Sequence, residues 1–338
     1  MLEFLHSLDQ SAQDRLSWQF LLSAVKTIES QHCRVFWQVD EHTLEISCEH
    51  SESTRDVLGY SNDDGWSYSD NLPPIFKAVF DLYLPVITKP ANSAVFVVGH
   101  LGQSIDSQIA TDTGDSFYVT GEENRKHLHC LRALCHAVVV GAGTVRADNP
   151  QLTTRAVPGA NPVRVVIDPR AQLRDPLKLF SDGDAKTVLL HQSSCDLSAL
   201  DMAFGPLIED ASGNRSHQVE RWTVPGTDGD MPVASIVALL ESRGLTRLFV
   251  EGGGITVGRF FEAGLLHRLH IAIAPLLVGA GTPSLQLPGS PTMLDAHRPN
   301  GSLYSMGDDV MWDFDLTKSV TDGPASATDA NGALQRIY

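Results

Sequence analysis

The chain has 338 residues, with 25 Lys and Arg against 41 Asp and Glu, a formal net charge of −16 with His neutral. That length can form one large domain or two ordinary ones, and 42 % hydrophobic with 20 % charged residues is a globular composition. So acidic a balance excludes a sequence-independent nucleic-acid binder, which needs basic surface, but a few local arginines could still hold a small anion.

The first predicted element is a helix over Arg15 to Glu29, where Leu16, Phe20, Leu21, Val25 and Ile28 recur at helical spacing. An alternating stretch from Val35 to Ile46 suits a strand, and a loop rich in Ser, Asp and Asn follows. Residues 1–88 are read as a small N-terminal accessory region. Beyond it, residues 89–317 alternate strands with helical patterns. The strands are expected at Ala94–Gly99, Ala137–Gly141, Val163–Asp168, Thr187–His191, Arg247–Glu251 and Leu269–Leu277. That order argues for an α/β domain with a mostly parallel, buried central sheet. Residues 318–338, rich in Ala, Asp, Gly, Ser and Thr, offer little apolar surface against the entropy of ordering and are expected to form a disordered tail.

The N-terminus lacks a basic stretch followed by an apolar run, so no secretory signal is expected. No run approaches the ~18 apolar residues of a membrane span. Five cysteines, Cys33, Cys48, Cys130, Cys135 and Cys195, form no CxxC; they point to a reducing cytoplasm rather than a disulfide framework or a zinc site.

Three clusters could carry chemistry. Gly141 and Gly143, with Thr144 and Asp148 behind them, follow the strand Ala137–Val140. Glycines there let backbone amides approach a phosphate, and Thr144 could cap the next helix. The dinucleotide fingerprint fails at Arg146, so an ordinary tight turn is the competing reading. Glu251-Gly252-Gly253-Gly254 also closes an apolar strand, and a helix starting there would aim free N–H groups and its positive dipole end at an anion. The plain alternative is a helix start with Glu251 on the surface. In the helix after Thr120, Thr120 and Glu123 read as a capping box and Leu128, Leu131 and Cys135 as a core stripe. Arg125, His129 and Arg132 share another face, which either is simply solvated or offers Arg132 to an anionic substrate. Arg155 and Arg164 add local positive charge.

Taken together, several motifs resemble a known family. They are Ser104-Ile-Asp-Ser-Gln-Ile-Ala-Thr111, Ser116, Tyr118, Leu131-Arg-Ala133, Val140-Gly-Ala-Gly-Thr-Val145, Asp148-Asn-Pro-Gln-Leu-Thr153, Asn161-Pro-Val-Arg-Val-Val-Ile-Asp168, Val250-Glu-Gly-Gly253 and Ile273-Ala-Pro-Leu-Leu-Val-Gly279. From about Ala94 to Val278 the chain is similar to the pyrimidine reductases of riboflavin biosynthesis, the C-terminal reductase domain of bifunctional deaminase-reductases. The resemblance implies a dihydrofolate reductase-like, three-layer α/β domain. It implies NADPH-dependent hydride transfer that reduces the ribosylamino group of 5-amino-6-(5-phosphoribosylamino)uracil to ribitylamino. It also suggests a homodimer, while the acidic balance and the lack of a long apolar run argue against nucleic-acid and membrane partners.

By correspondence of motifs, Ser116, Arg132, Leu152, Arg155 and Glu251 would contact substrate. Gly102, Tyr118, Thr144, Asp148 and the loop Gly253, Gly254, Ile255, Thr256, Val257, Gly258 and Arg259 would contact the cofactor. Asp148 and Glu251 are the candidate catalytic groups. His100 stands where bifunctional relatives often carry Lys, so it would orient substrate only in part, being shorter and titrating near neutrality. Arg170 could meet the 2′-phosphate of NADPH. The deaminase signature is incomplete: His50-Ser-Glu52 matches its first element by chance and no Pro-Cys-x-x-Cys occurs, so neither bound metal nor deamination is expected. Two other functions stay open, a pterin- or dihydrofolate-type reductase and a non-catalytic nucleotide-binding relative.

Overall fold

A computed structural model describes residues 2–317 except 31–33, 41–42, 51–56, 62–64, 89–92, 118, 174–176, 194–202, 210–214 and 227–228. The expected tail, Tyr118, Cys33 and Cys195 lie outside the described residues. The chain divides into two compact units, Met1–Thr88 and Lys89–Tyr338.

In the first unit, helices α1 (Leu2–Ser7) and α2 (Gln10–Ser30) precede strands β1 (Val35–Val39), β2 (Ile46–Glu49), β3 (Leu58–Ser61) and β4 (Gly65–Tyr68), and α3 (Pro74–Ile87) follows. The strands form an antiparallel sheet in the order β2-β1-β3-β4. Helix α2 begins ahead of the expected Arg15 because Asp9 caps it, its Oδ1 accepting from the Ala12 amide at 2.7 Å. Its apolar stripe packs on α3, where Phe20 meets Phe76 and Phe80 edge-on, each at 6.2 Å. The single strand expected over Val35–Ile46 is a hairpin instead. Asp40 Oδ1 accepts from the Thr43 amide at 2.8 Å and the Asp40 carbonyl from the Leu44 amide at 2.9 Å, bonds that close a reversal the alternating pattern concealed.

The second unit contains β5 (Phe96–Ser104), β6 (Gln108–Thr111), α4 (Glu122–Leu134), β7 (Ala137–Gly141), α5 (Ala142–Asp148), β8 (Val163–Ile167), α6 (Lys178–Ser181), β9 (Thr187–Gln192), β10 (Ala203–Glu209), β11 (Arg215–Val224), α7 (Val233–Ser242), β12 (Arg247–Glu251), α8 (Gly254–Glu262), β13 (Arg268–Ala274), β14 (Gly281–Pro283), β15 (Asn300–Met306) and β16 (Asp309–Asp315). One large sheet runs β10-β11-β9-β8-β7-β12-β5-β13-β16-β15. From β11 to β13 all neighbours are parallel, while β10, β16 and β15 add antiparallel edges. The mostly parallel α/β architecture is as expected.

The chain steps one way from β5 through β7 and β8 to β9, then returns to β12 and β13. Right-handed crossovers therefore put α4, α5 and α6 on one face and α7 and α8 on the other. Side chains agree: Val97 and Leu101 of β5 and Leu248 and Val250 of β12 share a core with Ile236 of α7 and Phe260 of α8. The alternate residues of those strands face α4. Arg164, expected to supply charge for a ligand, is instead fully buried. It donates to Asp182 Oδ2 at 2.6 Å and to the carbonyls of Gln151 and Leu179 at 3.1 Å each. Among the described residues no helix is long and apolar enough to cross a membrane.

Candidate active site

A crevice of about 610 Å³ opens at the carboxyl ends of β5, β7 and β12, where an open parallel sheet presents ligand sites. It gathers His100 and Gly102 from β5, Ser116 from the following loop, Gly141 from β7, and Gly143, Thr144 and Asp148 from α5. Leu152, Glu251, Gly253, Gly254, Ile255 and Thr256 complete the expected set found there.

The rest of the expected set lies elsewhere. In α8, Val257 is in the core, and Gly258 is buried, a Cβ there standing 2.3 Å from the Gln286 carbonyl oxygen. Arg259 bonds Asp230 and the Met231 carbonyl. Helical geometry explains this: only the first turn of α8 faces the strand ends. Arg170 is exposed and lies beside Gly229, outside the crevice lining.

Arg132 also fails to line the crevice. It is buried, and it holds Glu251 bidentately, with Nε to Oε2 at 2.8 Å and Nη2 to Oε1, while Nη1 donates to the Thr153 carbonyl at 3.1 Å. The basic face that Arg132 shares with His129 is thus interior, and the guanidinium is committed to a carboxylate rather than offered to an anion. Glu251 remains at the crevice wall with its orientation fixed. Arg155 is exposed outside the lining; its amide donates to His129 Nδ1 at 3.0 Å and its Nη1 to Thr153 Oγ1 at 2.7 Å. Burial, then Arg132, lowers the Arg155 pKa.

Leu152 adopts φ +55°, a left-handed conformation uncommon for a bulky residue. The carbonyl on each side of it is clamped by a buried arginine, that of Gln151 by Arg164 and that of Thr153 by Arg132. The two clamps hold that conformation against its cost. Ser116 Oγ donates to Asp148 Oδ1 at 2.7 Å, joining two crevice residues from separate elements.

Both expected helix caps are built differently. Gly141 is the N-cap of α5, and Thr144 Oγ1 instead accepts from the Gly253 amide at 3.1 Å, tying the two glycine loops together. Gly121 is the N-cap of α4; its amide donates to Asp309 Oδ2 at 2.7 Å, and Thr120 Oγ1 accepts from Asn124 Nδ2 at 2.8 Å. The triple glycine divides its work. A Cβ on Gly254 would stand 1.4 Å from the Ser284 carbonyl oxygen, so that glycine permits a backbone contact. On Gly253 a Cβ would meet only Thr144 Oγ1, at 3.5 Å, so that position is open to the crevice. An open first turn on a nine-residue helix is a cradle suited to a pyrophosphate.

Asn124, Arg125 and Leu128 of α4, with Thr282 and Gln286 beyond β13, also line the crevice and were not anticipated there. Helical spacing of Asn124 with Leu128 was a usable signal; for Thr282 and Gln286 the sequence holds none. Among the described residues no group of three His, Cys, Asp or Glu is placed to hold a metal ion.

A family model described as the RibD C-terminal domain matches residues 95–310. A riboflavin biosynthesis protein RibD of Bacillus amyloliquefaciens is 34 % identical over 180 residues, covering 52 % of this chain and 44 % of the relative, so the chain spans less than half that protein's length. A 2,5-diamino-6-ribosylamino-4(3H)-pyrimidinone 5′-phosphate reductase of Methanothermobacter thermautotrophicus is 30 % identical over 227 residues, covering 65 % of this chain and 97 % of the relative. Among solved structures, a bifunctional deaminase/5-amino-6-(5-phosphoribosylamino)uracil reductase of Thermotoga maritima superposes with a TM-score of 0.55 at 16 % identity, over 89 % of this chain and 99 % of that one; that likeness is one of fold.

Proposed function

The chain belongs to the RibD C-terminal domain family, and on that premise we propose that it is a riboflavin-pathway pyrimidine reductase. It reduces the ribosylamino group of a phosphoribosylamino-pyrimidine, of the 5-amino-6-(5-phosphoribosylamino)uracil type, to ribitylamino. The observation that carries this reading is the pairing, in one crevice, of an arginine-clamped Glu251 with the open first turn of α8 at Gly253.

A nicotinamide dinucleotide, here NADPH, supplies the hydride. Gly253, Gly254 and Thr144 fit its pyrophosphate, and the adjacent crevice residues Gly102, Gly141, Gly143, Ile255 and Thr256 line its bed. Glu251, held from behind by Arg132, receives substrate N–H or O–H groups and orients them; Asp148, tethered by Ser116, does the same across the crevice. Leu152 presents strained backbone to the ligand, and exposed Arg155 meets the substrate phosphate. Protein groups thereby fix the reacting carbon near the hydride donor, where orientation supplies much of the rate.

The reading assigns the reductase to residues 89–317 and no deaminase or metal site to the chain, with residues 1–88 an accessory region. It places the enzyme in the cytoplasm as a homodimer. The exposed apolar strip of Leu303, Val310 and Trp312 on β15 and β16 supports self-association. Mixing purified protein with NADPH and the pyrimidine phosphate, and following the reduced-nicotinamide absorbance, tests the activity. Decay with ribosylamino-pyrimidine phosphates but not dihydrofolate is expected. Absence of decay with any of them would refute it, and light scattering at one-chain mass would refute the dimer.

A further inference from the structure

Four adjacent strands place a polar residue in one row of the sheet. Glu251 of β12 is in register with His100 of β5, His100 with His270 of β13, and His270 with Asp313 of β16. Residues in register share a face, here the one beneath α4, and α4 answers each in turn. Arg132 bonds Glu251, Asn124 Oδ1 lies 2.9 Å from His100 Nε2, and His127 Nε2 lies 3.0 Å from His270 Nδ1. His270 Nε2 in turn lies 3.1 Å from Asp313 Oδ1. His100, His127 and His270 are all buried. Of the row, only Glu251 and His100 line the crevice. Polar groups in strand positions that are otherwise apolar cost stability, and such local conflicts concentrate at functional sites.

The network fixes which nitrogen of His100 carries hydrogen. Asn124 Nδ2 donates to Thr120 Oγ1, so Asn124 Oδ1 is the acceptor and His100 Nε2 the donor. Burial, then His270, holds the His100 pKa down to about 3 against the opposing Asn124 bond, so the ring is neutral and Nδ1 carries a lone pair. The charged and titratable groups around it are Glu251 from β12, His270 from β13, and Arg125, His127 and Arg132 from α4, with Asp148 also on the crevice wall. Among the described residues Nδ1 has no hydrogen-bond partner.

We propose that His100 is a specificity residue whose Nδ1 lone pair accepts a hydrogen bond from an N–H or O–H of the bound ribosylamino-pyrimidine, with Asn124 and Thr120 as the positioning residues that keep it an acceptor. The proposal rests on the function assigned to the crevice above. A ligand that presents its own acceptor at this point meets a second lone pair and is rejected.

Two substitutions at His100 separate its nitrogens. His100→Gln carries an amide near the place of Nε2 and leaves the place of Nδ1 empty; His100→Asn puts an amide near the place of Nδ1. The expected KM for substrate rises about tenfold in His100→Gln and stays within about threefold of wild type in His100→Asn, with NADPH affinity by fluorescence titration unchanged in both. Asn124→Asp favours the imidazolium and turns Nδ1 into a donor. Its KM relative to wild type is then expected to climb as pH falls from about 8 to 5.5, around the reference histidine range. If a His100 variant fails to fold, by melting curve, the Asn124→Asp profile decides alone. Wild-type turnover combined with equal KM in His100→Gln, or a pH-flat KM ratio in Asn124→Asp, would overturn this proposal and leave the function standing. Lack of wild-type turnover would overturn the function itself, and this proposal with it.

Discussion

Replacing Gly253 by Val probes the crevice wall at α8 while sparing the fold. Gly253 has φ −63° and ψ 155°, which valine adopts without strain, and a Cβ built there finds only Thr144 Oγ1, at 3.5 Å. Stability should therefore stay within about 0.5–1 kcal/mol of wild type. The added methyl groups occupy the space that a pyrophosphate needs against the first turn of α8. Displacing the anion forfeits the dipole term of ~0.3–1 kcal/mol and charge-assisted bonds of ~1.5–3 kcal/mol each, so a loss of ~3–5 kcal/mol is expected. That is a weakening of dinucleotide binding by roughly 10²- to 10³·⁵-fold. Gly254→Ala should do the reverse. Its Cβ would stand 1.4 Å from the Ser284 carbonyl oxygen, whereas carbon contacts settle near ~3.5 Å, so the 284–285 backbone would have to retreat by roughly 2 Å. Overpacking of that kind costs ~1–3 kcal/mol or more. Fluorescence titration with NADPH and urea denaturation read the two effects separately. Wild-type affinity in a folded Gly253→Val protein would refute the cofactor cradle, and an unshifted urea midpoint in Gly254→Ala would refute the packing argument.

Glu251→Gln keeps the shape but removes the charge that Arg132 grips; kcat/KM should fall about 100-fold, with stability lower by ~1–3 kcal/mol. Unchanged kinetics would reduce the carboxylate to a structural role. Arg155→Ala, on an exposed side chain, should raise KM for the phosphorylated substrate about tenfold with NADPH affinity intact; weakened NADPH binding instead would reverse the assignment. Acid should destabilise the protein earlier than carboxylate titration alone would. The folded pKa of His100 is lowered to about 3, and that of His127 well below the ordinary 6.5, so the unfolded chain takes up those protons first. Their contribution is complete above pH ~6.5 and declines as pH falls toward the folded values, at about 1.4 kcal/mol per pH unit per histidine. Urea midpoints measured between pH 7 and 4.5 check this, and a flat profile from 6.5 to 5 would contradict it.

Much of the sheet was legible because parallel strands buried on both faces are written as unbroken apolar runs. β7 and β12 have the expected bounds, and Pro275 lies just beyond the end of β13. The antiparallel edges were not, since β15 exposes or half-exposes all of its residues and so carries no buried stripe to recognise. At the site, glycines after strands pointed to the crevice, but which glycine packs on backbone rather than standing open depends on Ser284, thirty residues further on. Arg132, offered to a substrate by its helix face and motif, and Arg164, noted as local charge, are instead paired with Glu251 and Asp182, partners fixed only by the tertiary fold. The histidine row is invisible without strand register, because His100 and His270 meet across two separate strands.

The bond from the Gly121 amide to Asp309 spans 188 residues, and the contact of His127 with His270 spans 143. The amino-terminal end of α4 is therefore tied to β16, far along the chain. Contacts that distant close large loops, and folds dominated by them form slowly. During synthesis, α4 can form its turns but cannot lock against the sheet until β13 and β16 are in place. The clamp on Glu251 and the tautomer of His100 both depend on α4, so the nascent chain cannot hold a competent crevice before the β15–β16 hairpin docks. Assembly of the site and docking of that hairpin then become one event, and a refolding time course followed by dinucleotide binding should coincide with one followed by the slowest change in tryptophan fluorescence.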